Sequence, residues 1–283
     1  MDDSPFTWSY EGQEWTPRNY KDEYFGIVSF RTALERSLNS ATVRIAKEVG
    51  LQKVRDIAYR LGIESSLPAL PSLVLGAVEV TPLELATAFS TLANNGVRTR
   101  PLAIKQVVDQ GSKVLEKRDI RVEKVLAPEM AFMINHLLKG VMDRGTGRGA
   151  RVRGFDRPAA GKTGTTNDLK DAWFVGYTPD LLAVVWVGFD NQSKLGLSGA
   201  QAALPIWTEF MKRATAEAPA TDFNPPAGIK MVDVDPESGY LATPACPQVI
   251  REAFFEGDEP TRYCPLHRSS VARALPSSAQ VRE

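Results

Sequence analysis

The sequence predicts an α+β fold in which helices from the first half of the chain pack on an antiparallel sheet from the second half. Two observations favour this class. Residues 29–143 carry apolar positions at helical spacing, and residues 159–189 carry three short strand-like segments joined by tight turns. A further amphipathic segment near 204–214 follows the strands. The order of these elements predicts helices packed on a three-stranded meander.

The composition indicates a folded globular chain with no overall charge. Its 283 residues are 43% hydrophobic, which is enough to bury a sizeable core in one or two domains. Lysine plus arginine equals aspartate plus glutamate at 34 each, so we expect no nucleic-acid binding. The longest apolar run, Leu181 to Phe189, falls far short of the ~20 residues that span a bilayer, and Met1 to Ser4 do not resemble a signal peptide. We therefore expect no membrane span or export signal in the chain as given.

The helical region begins with two consecutive helices. Residues 1–28 are rich in aromatic and turn-forming residues without a clear period, so we expect an ordered loop there. From Ser29 one apolar series runs to Arg36, and a second series runs from Ala41 to a stop at Gly50. The tripeptide Ser37-Leu38-Asn39 therefore lies at a helix-helix junction. One interpretation is that Ser37 or Asn39 simply caps the second helix.

The rest of the first half is predicted from local patterns of the same kind. Thr81-Pro82-Leu83-Glu84 has the residues of a capping box with proline at the first helical position. His136 lies on a predicted helix without a second histidine or a cysteine nearby, so we interpret it as structural. The predicted elements are helices over Leu51–Leu61, from Thr81 to near Asn95 and over Pro128–Asp143, with a hairpin over Ile104–Lys117.

A compact polar motif, Lys162-Thr163-Gly164-Thr165-Thr166, lies on the first predicted strand. A cation, a glycine and three hydroxyls beside a strand edge are suited to hold a carboxylate and a developing oxyanion. A phosphate-binding loop ending at Gly161-Lys162-Thr163 is excluded, because that motif requires glycine where the chain has Asp156. A Lys-Thr-Gly tripeptide also occurs by chance, so the flanking sequence has to decide.

The last part of the chain differs in composition from the rest. We place a domain boundary after residue 215, because residues 216–283 are rich in proline, turns and short strands, and we expect the polar last dozen residues to be disordered. Cys246 and Cys264 both lie in this extension. In an oxidising compartment a disulfide is the default for such a pair, with free thiols or a metal as the alternatives. Together with His267 the cysteines offer only three zinc ligands, so we expect neither a metal nor a cofactor.

The two motifs taken with their flanks resemble a known family. Leu34-Glu35-Arg36-Ser37-Leu38-Asn39 and the stretch from Ala160 to Tyr177 are similar to the transpeptidase domain of class A penicillin-binding proteins, the bifunctional peptidoglycan synthases. The resemblance extends from about Asp2 to Arg213, and the extension with the two cysteines also looks like this family. It implies the penicillin-binding transpeptidase fold, which is shared with serine β-lactamases.

The resemblance also implies a reaction and partners. The family transfers an acyl group from D-Ala-D-Ala stem peptides of peptidoglycan through an acyl-serine, and β-lactams acylate the same serine. Ser37 would then relay a proton to the leaving amine, and Asn39 would orient the substrate amide. Lys162 would supply positive potential near Ser37.

On the same basis, the strand motif would bind the substrate. The hydroxyls of Thr163 and Thr165 would hold its carboxylate, the backbone N–H of Thr165 would be one oxyanion donor, and Gly164 would let the substrate lie against bare backbone. The implied catalytic residues are Ser37, Asn39, Lys162 and Thr165, and the implied substrate-binding residues are Thr163, Gly164, Thr165 and Thr166.

The sequence departs from the family pattern at one essential point. The family nucleophile lies in Ser-x-x-Lys upstream of Ser-x-Asn, and no Ser-x-x-Lys occurs in these 283 residues. We interpret the chain as an inactive, truncated part of a periplasmic enzyme whose parent is anchored in the inner membrane. The strand at Leu182 to Phe189 would then lack a neighbour, which predicts self-association through an exposed apolar edge.

Two other functions stay open at this point. The chain could be a non-catalytic module that keeps the carboxylate pocket and binds stem peptides or partners. It could also be an independent serine hydrolase, if Ser37 and Lys162 approach within hydrogen-bond distance.

Overall fold

The computed structural model describes residues 1–267, and the polar end that we expected to be disordered lies outside them. The chain divides into two compact units, Met1–Asn224 and Pro225–Glu283. This division falls later than the boundary expected after residue 215. Residues 216–224 stay with the first unit because Ala218 accepts a hydrogen bond from Arg157 and Asp222 forms an ion pair with Lys139 at 2.5 Å.

The predicted helices and strands of the first unit form with bounds close to those expected. The N-terminal stretch is an exception, because a short hairpin forms where we expected only a loop. No described helix is long and apolar enough to cross a membrane. In chain order the elements are β1 (Trp8–Tyr10), β2 (Gln13–Trp15), α1 (Phe30–Arg36), α2 (Asn39–Val49), α3 (Leu51–Leu61), α4 (Pro82–Ala93), β3 (Val97–Thr99), β4 (Gln106–Val108), β5 (Val114–Lys117), β6 (Val122–Lys124), α5 (Pro128–Asp143), α6 (Gly149–Val152), β7 (Ala160–Thr165), β8 (Ala172–Tyr177), β9 (Leu182–Val187), α7 (Ala203–Ala214), β10 (Ile229–Val234) and β11 (Ile250–Phe255).

The centre of the first unit is the antiparallel sheet β7-β8-β9. Side chains alternate between its two faces, so that Phe174 and its register partner Val185 lie on one face while Tyr177 and its partner Leu182 lie on the other. The first face packs on Trp207 of α7, and the second packs on α4 and α5. Helices therefore cover both faces of the sheet, and the predicted α+β arrangement is confirmed.

A buried polar link fixes α5 against the sheet. Asn135 of α5 accepts a hydrogen bond from the Tyr177 hydroxyl at 2.6 Å and donates to the carbonyl of Leu92 at 2.8 Å. Both Asn135 and Tyr177 are fully buried, and burial raises the pKa of the Tyr177 hydroxyl. Because a buried polar group without a partner is costly, these bonds define the positions of α4, α5 and β8 relative to one another.

Local sequence signals determine where the helices begin and end. Thr81 and Glu84 form the expected capping box at the start of α4, with the Thr81 hydroxyl accepting from the Glu84 N–H at 3.2 Å. Gly50 separates α2 from α3 with φ 96°, a conformation that a residue with a Cβ rarely adopts. Because α1 ends at Arg36 and α2 begins at Asn39, the expected helix-helix junction at residues 37–39 is also present, and Ser37 lies between the two helices.

The second unit is small and is described over residues 225–267. Strands β10 and β11 form an antiparallel pair, and single bridges join Leu241 to Val234 and to Tyr263. Among its described residues, the buried apolar side chains are those of Val234, Ala253 and Cys264. This is a thin core for a unit of this size.

Candidate functional site

Ser37 is held in an unusual backbone conformation at the end of α1. Its φ of 57° and ψ of 50° are left-handed, and its N–H bonds back to the carbonyls of Ala33 and Leu34. A residue with a Cβ adopts this conformation at a cost of roughly 1 kcal/mol or more relative to glycine. The structure rejects the simple capping interpretation, because the residue before α2 is Leu38, which makes no side-chain cap.

Ser37 and Lys162 meet across the fold. The Lys162 ammonium donates a hydrogen bond to the Ser37 hydroxyl oxygen at 2.7 Å, although the two residues lie 125 positions apart in the chain. The same ammonium donates to the carbonyl of Thr163 at 3.2 Å. Burial lowers the pKa of Lys162 from 10.5 to about 8. A lysine with this pKa can exchange a proton near neutral pH, and Ser37 is the hydroxyl placed to receive or return it.

The hydroxyls of Thr163 and Thr165 lie on the next positions of β7. The Thr163 hydroxyl is 2.7 Å from the hydroxyl of Thr146, and the Thr165 hydroxyl accepts a hydrogen bond from the N–H of Gly199 at 3.0 Å. The proton of the Thr165 hydroxyl is therefore available to an acceptor such as a carboxylate. Both side chains project from the same side of the strand, as the alternation of an extended chain requires.

The remaining residues of the expected site have other partners. The Asn39 amide donates to the carbonyl of Arg18 at 2.7 Å, so the structure does not bring it into the contact between Ser37 and Lys162. The Thr166 hydroxyl bonds to the N–H and the carboxylate of Asp171 and closes the turn after β7. A Cβ added at Gly164 would lie 3.0 Å from the Cβ of Trp173, a tight contact with the neighbouring strand that glycine avoids.

A buried ionic network that the sequence analysis missed lies behind Ser37. Glu35 is buried and pairs with Arg31 at 3.1 Å and with Arg144 at 2.6 Å. The network leaves no room for a side chain at Gly140 of α5, because a Cβ there would lie 1.9 Å from the Glu35 carboxylate. A Cβ at Gly145 would lie 2.3 Å from the Glu35 carbonyl oxygen. The sequence did contain a signal for this network, because Arg31 and Glu35 lie four positions apart and can therefore pair on one face of a helix.

This network is connected to the strand motif through the backbone. The carbonyl of Glu35 accepts a hydrogen bond from the N–H of Thr146 at 3.0 Å, and Thr146 in turn contacts Thr163. Glu35, two positions before Ser37 in the chain, thus also holds the residue whose hydroxyl contacts that of Thr163. Glu35 therefore helps to position both Ser37 at the end of α1 and the hydroxyl of Thr163 on β7.

The two cysteines of the second unit, which we expect to pair in an oxidising compartment, lie close to two other polar side chains. The structure leaves Cys246 and Cys264 as free thiols. The ring nitrogen Nδ1 of His267 lies 3.4 Å from the sulfur of Cys264 and 3.1 Å from the carboxylate of Asp235. The expected count of three candidate metal ligands was therefore short by one, since Asp235 joins them. Aspartate is too common in sequences for this residue to be selected without the fold.

Comparisons with known proteins agree with the first interpretation of the sequence. Residues 1–212 match the penicillin binding protein transpeptidase domain, and residues 225–269 match the penicillin-binding protein 1A C-terminal domain. Penicillin-binding protein 1A of Aquifex aeolicus is 40% identical over 257 residues, which cover 90% of this chain and 35% of the relative. Penicillin-binding protein 2D of Bacillus subtilis is 34% identical over 272 residues, covering 93% and 39%. The chain spans roughly a third of the length of the curated relatives that it matches.

Solved structures are similar over the same region. The crystal structure of penicillin-binding protein 1A from Haemophilus influenzae matches 93% of this chain and 45% of that chain, with a TM-score of 0.84 and 28% identity. PonA1 from Mycobacterium tuberculosis in complex with penicillin V matches 79% of this chain and 65% of that chain, with a TM-score of 0.67 and 27% identity. The penicillin-binding transpeptidase fold is confirmed by these matches. The chain belongs to the class A penicillin-binding proteins.

Proposed function

We propose that this chain forms the substrate-binding wall of a peptidoglycan D,D-transpeptidase whose nucleophile lies outside these 283 residues. The observation that carries the proposal is the 2.7 Å contact between Lys162 and Ser37, which joins the two motifs of the sequence into one polar site. A lysine, a serine and strand hydroxyls in this arrangement suit an acyl transfer that produces an oxyanion and a leaving amine.

In this proposal the serine of a Ser-x-x-Lys motif attacks the carbonyl of the penultimate D-alanine. Ser37 passes a proton to the departing D-alanine amine, and Lys162 stabilises the hydroxyl during that transfer. An amine of a second stem peptide then attacks the acyl-serine and takes the acyl group. The proton of this amine passes to Ser37, which reverses the earlier proton transfer. The N–H of Thr165 is one oxyanion donor, and removal of one such donor typically costs about 3 kcal/mol of transition-state stabilisation.

The proposed substrate carboxylate lies against the strand hydroxyls. The Thr165 hydroxyl has a proton to donate because it accepts from Gly199, and the nearby Lys162 ammonium favours an anion. Rotation of the Asn39 amide away from the carbonyl of Arg18 would let it reach a substrate amide. β-Lactams would occupy the same wall, as mimics of the D-Ala-D-Ala terminus.

Labelling with a fluorescent penicillin tests the proposal. The 283-residue chain should not be labelled, because it contains no Ser-x-x-Lys. In the parent polypeptide, Lys162→Ala should reduce the acylation rate by about 100-fold or more. Lys194→Ala is the matched control, since Lys194 is an exposed lysine on a loop, and it should leave labelling unchanged. Equal labelling of the Lys162→Ala variant and the parent would contradict the proposal.

A second candidate is a serine hydrolase that uses Ser37 itself as its nucleophile. The hydrogen bond between Ser37 and Lys162 supports it, because a lysine with a pKa of about 8 can act as a base toward an adjacent hydroxyl. Mass spectrometry after penicillin treatment separates the two candidates. Acylation of Ser37 in the isolated chain would favour the hydrolase, and an unmodified chain would favour the transpeptidase wall.

A non-catalytic module would bind stem peptides without turnover. Titration of the chain with a peptide ending in D-Ala-D-Ala, against the same peptide with a C-terminal amide, measures the contribution of the carboxylate. If the chain prefers the peptide with the free carboxylate, and Thr165→Val reduces that preference, the result would support carboxylate binding by this strand. The parent polypeptide then separates a module from an enzyme, since only the enzyme releases D-alanine.

We further propose that the parent acts in the periplasm while anchored in the inner membrane, because its substrate is the cell wall. The outer edge of β9 has no strand partner within residues 1–267, and the strand carries the run Ala183-Val184-Val185-Trp186-Val187. The isolated chain should therefore self-associate through this edge. Sedimentation at roughly tens of micromolar measures this, and a monodisperse monomer would contradict it.

A further inference from the structure

The second unit brings four metal-ligating side chains to one point. One ligand atom from each of Asp235, Cys246, Cys264 and His267 lies within 4.8 Å of the others. We propose that these four side chains bind a zinc-class divalent cation in a tetrahedral site. The proposal is independent of the acyl-transfer function and concerns a different unit of the chain.

The polar contacts already point the right atoms inward. Nδ1 of His267 faces both Oδ2 of Asp235, at 3.1 Å, and the sulfur of Cys264, at 3.4 Å. The other oxygen of Asp235, Oδ1, accepts the N–H of Ser238 at 2.7 Å, which holds the carboxylate and leaves Oδ2 toward the cluster. Nε2 of His267 lies 3.9 Å from the exposed carboxylate of Glu237, which is beyond hydrogen-bond distance.

Both sulfurs receive hydrogen bonds that favour thiolates. The sulfur of Cys246 accepts the N–H of Thr243 at 3.2 Å. The sulfur of Cys264 lies 3.4 Å from Nδ1 of His267, a ring nitrogen that can donate a hydrogen bond to it. Only the thiolate form binds a metal, so these bonds favour the state that the cation needs.

The spacing of the ligand atoms is close to that of a tetrahedral zinc site. Zinc bonds of about 2.3 Å to sulfur and about 2.0–2.2 Å to nitrogen and oxygen place ligand atoms roughly 3.3–3.8 Å apart. The contacts of His267 at 3.1 and 3.4 Å already approach this spacing, and the largest separation is bounded by 4.8 Å. A contraction of about 1 Å or less would complete the site.

The small core of the second unit gives the cation a structural role. Few apolar side chains are buried among its described residues, and units of this size usually need a disulfide or a metal to remain folded. The four ligands come from three segments: the end of β10, the turn at Cys246 and the chain after β11. A cation would join these segments directly. Four protein ligands fill a tetrahedral site and leave no open position for substrate.

The donor set selects the class of cation. Two thiolates and an imidazole suit zinc, whereas calcium and magnesium require oxygen ligands. Binding requires the thiols to lose their protons to solvent, so the affinity should rise with pH. A disulfide between Cys246 and Cys264 is the competing state, since it uses the same sulfurs and requires an oxidant.

The full 283-residue chain, purified with a reductant, provides the test. Cobalt(II) should bind with one ion per chain and give the visible absorption of a tetrahedral ion together with a thiolate-to-cobalt charge-transfer band. Zinc should displace the cobalt and protect both cysteines from alkylation at least tenfold. This protection needs no mutation, so it does not depend on whether a variant folds.

Variants then assign the ligands. Cys246→Ser, Cys264→Ser and Asp235→Asn should each weaken cobalt binding by more than the roughly 10–100-fold that is typical when an outer hydrogen-bond partner of a metal ligand is removed. Asp258→Asn is the matched control, because Asp258 is an exposed carboxylate of the same unit. It should leave binding unchanged.

Three results would overturn the proposal. One is equal alkylation of the two cysteines with and without zinc in the reduced chain. Another is cobalt binding without a charge-transfer band, which would place the ion away from the thiolates. A chain that retains a Cys246–Cys264 disulfide through purification with reductant would also overturn it in favour of the cross-link.

Discussion

The ammonium of Lys162 should make the stability of the first unit depend on pH in an unusual direction. Lys162→Met removes the charge and keeps an apolar side chain of similar length. In the folded chain burial lowers the pKa of Lys162 to about 8, while the unfolded value is the ordinary 10.5. Between these values the unfolded chain binds more protons than the folded chain. The free energy of unfolding of the wild type should therefore rise with pH relative to that of the variant.

The size of this effect follows from the two pKa values. Integration from about pH 7 to about pH 9.5 gives a gain of about 2 kcal/mol for the wild type relative to Lys162→Met. The gain begins near pH 8, where the folded chain loses its proton, and is complete near pH 10.5, where the unfolded chain does. Most lysines that gain an acidic partner show the opposite sign, so the direction alone is informative.

Urea unfolding followed by tryptophan fluorescence measures the effect in the correct unit. All five tryptophans of the chain lie within Met1–Asn224, so the signal does not report on the second unit. Lys194→Met is the control, because it removes an exposed lysine on a loop away from Ser37, and the difference in unfolding free energy between this variant and the wild type should stay constant with pH. A difference between wild type and Lys162→Met that stays flat or falls with pH would refute the buried ammonium.

Three further substitutions test the surroundings of the site by the same unfolding assay. Tyr177→Phe leaves the buried oxygen of Asn135 without its donor and should cost about 1–3 kcal/mol, and a loss below that of the exposed Tyr20→Phe would argue against the link. Ser37→Gly should be about 1 kcal/mol more stable than Ser37→Ala, because glycine adopts the left-handed conformation without strain, and equal stabilities would contradict the assigned backbone. Thr81→Ala should cost about 1 kcal/mol through loss of the N-cap of α4, and an unchanged midpoint would show that the cap is dispensable.

Local signals in the sequence predicted most of the first unit. The capping box at Thr81, the stop at Gly50 and the strand-like segment from Ala172 to Tyr177 depend on neighbouring residues only, and each appears in the structure where it was expected. The sequence analysis missed the hairpin β1-β2. In the structure its two-residue turn is formed by Glu11 and Gly12, which both adopt positive φ. Its strands have three residues each, which is too short for a period of two to be visible.

The candidate site was predictable in its parts and not in its connections. Ser37 and Lys162 were identified from their motifs, but their 2.7 Å contact depends on how α1 packs beside the sheet. Glu35 was passed over because a charged residue on a helix is normally exposed, and only the fold shows that Arg31 and Arg144 surround it. The same holds for Asp235, whose partners come from later parts of the chain.

The arrangement around Glu35 has an evolutionary consequence. Its carboxylate fills the space that a side chain at Gly140 would need, and it holds the two arginines at 31 and 144. Loss of Glu35 would remove the carboxylate that pairs with the buried Arg31, whereas loss of the whole group could be repaired by apolar packing. Relatives should therefore change residues 31, 35, 140 and 144 jointly or not at all.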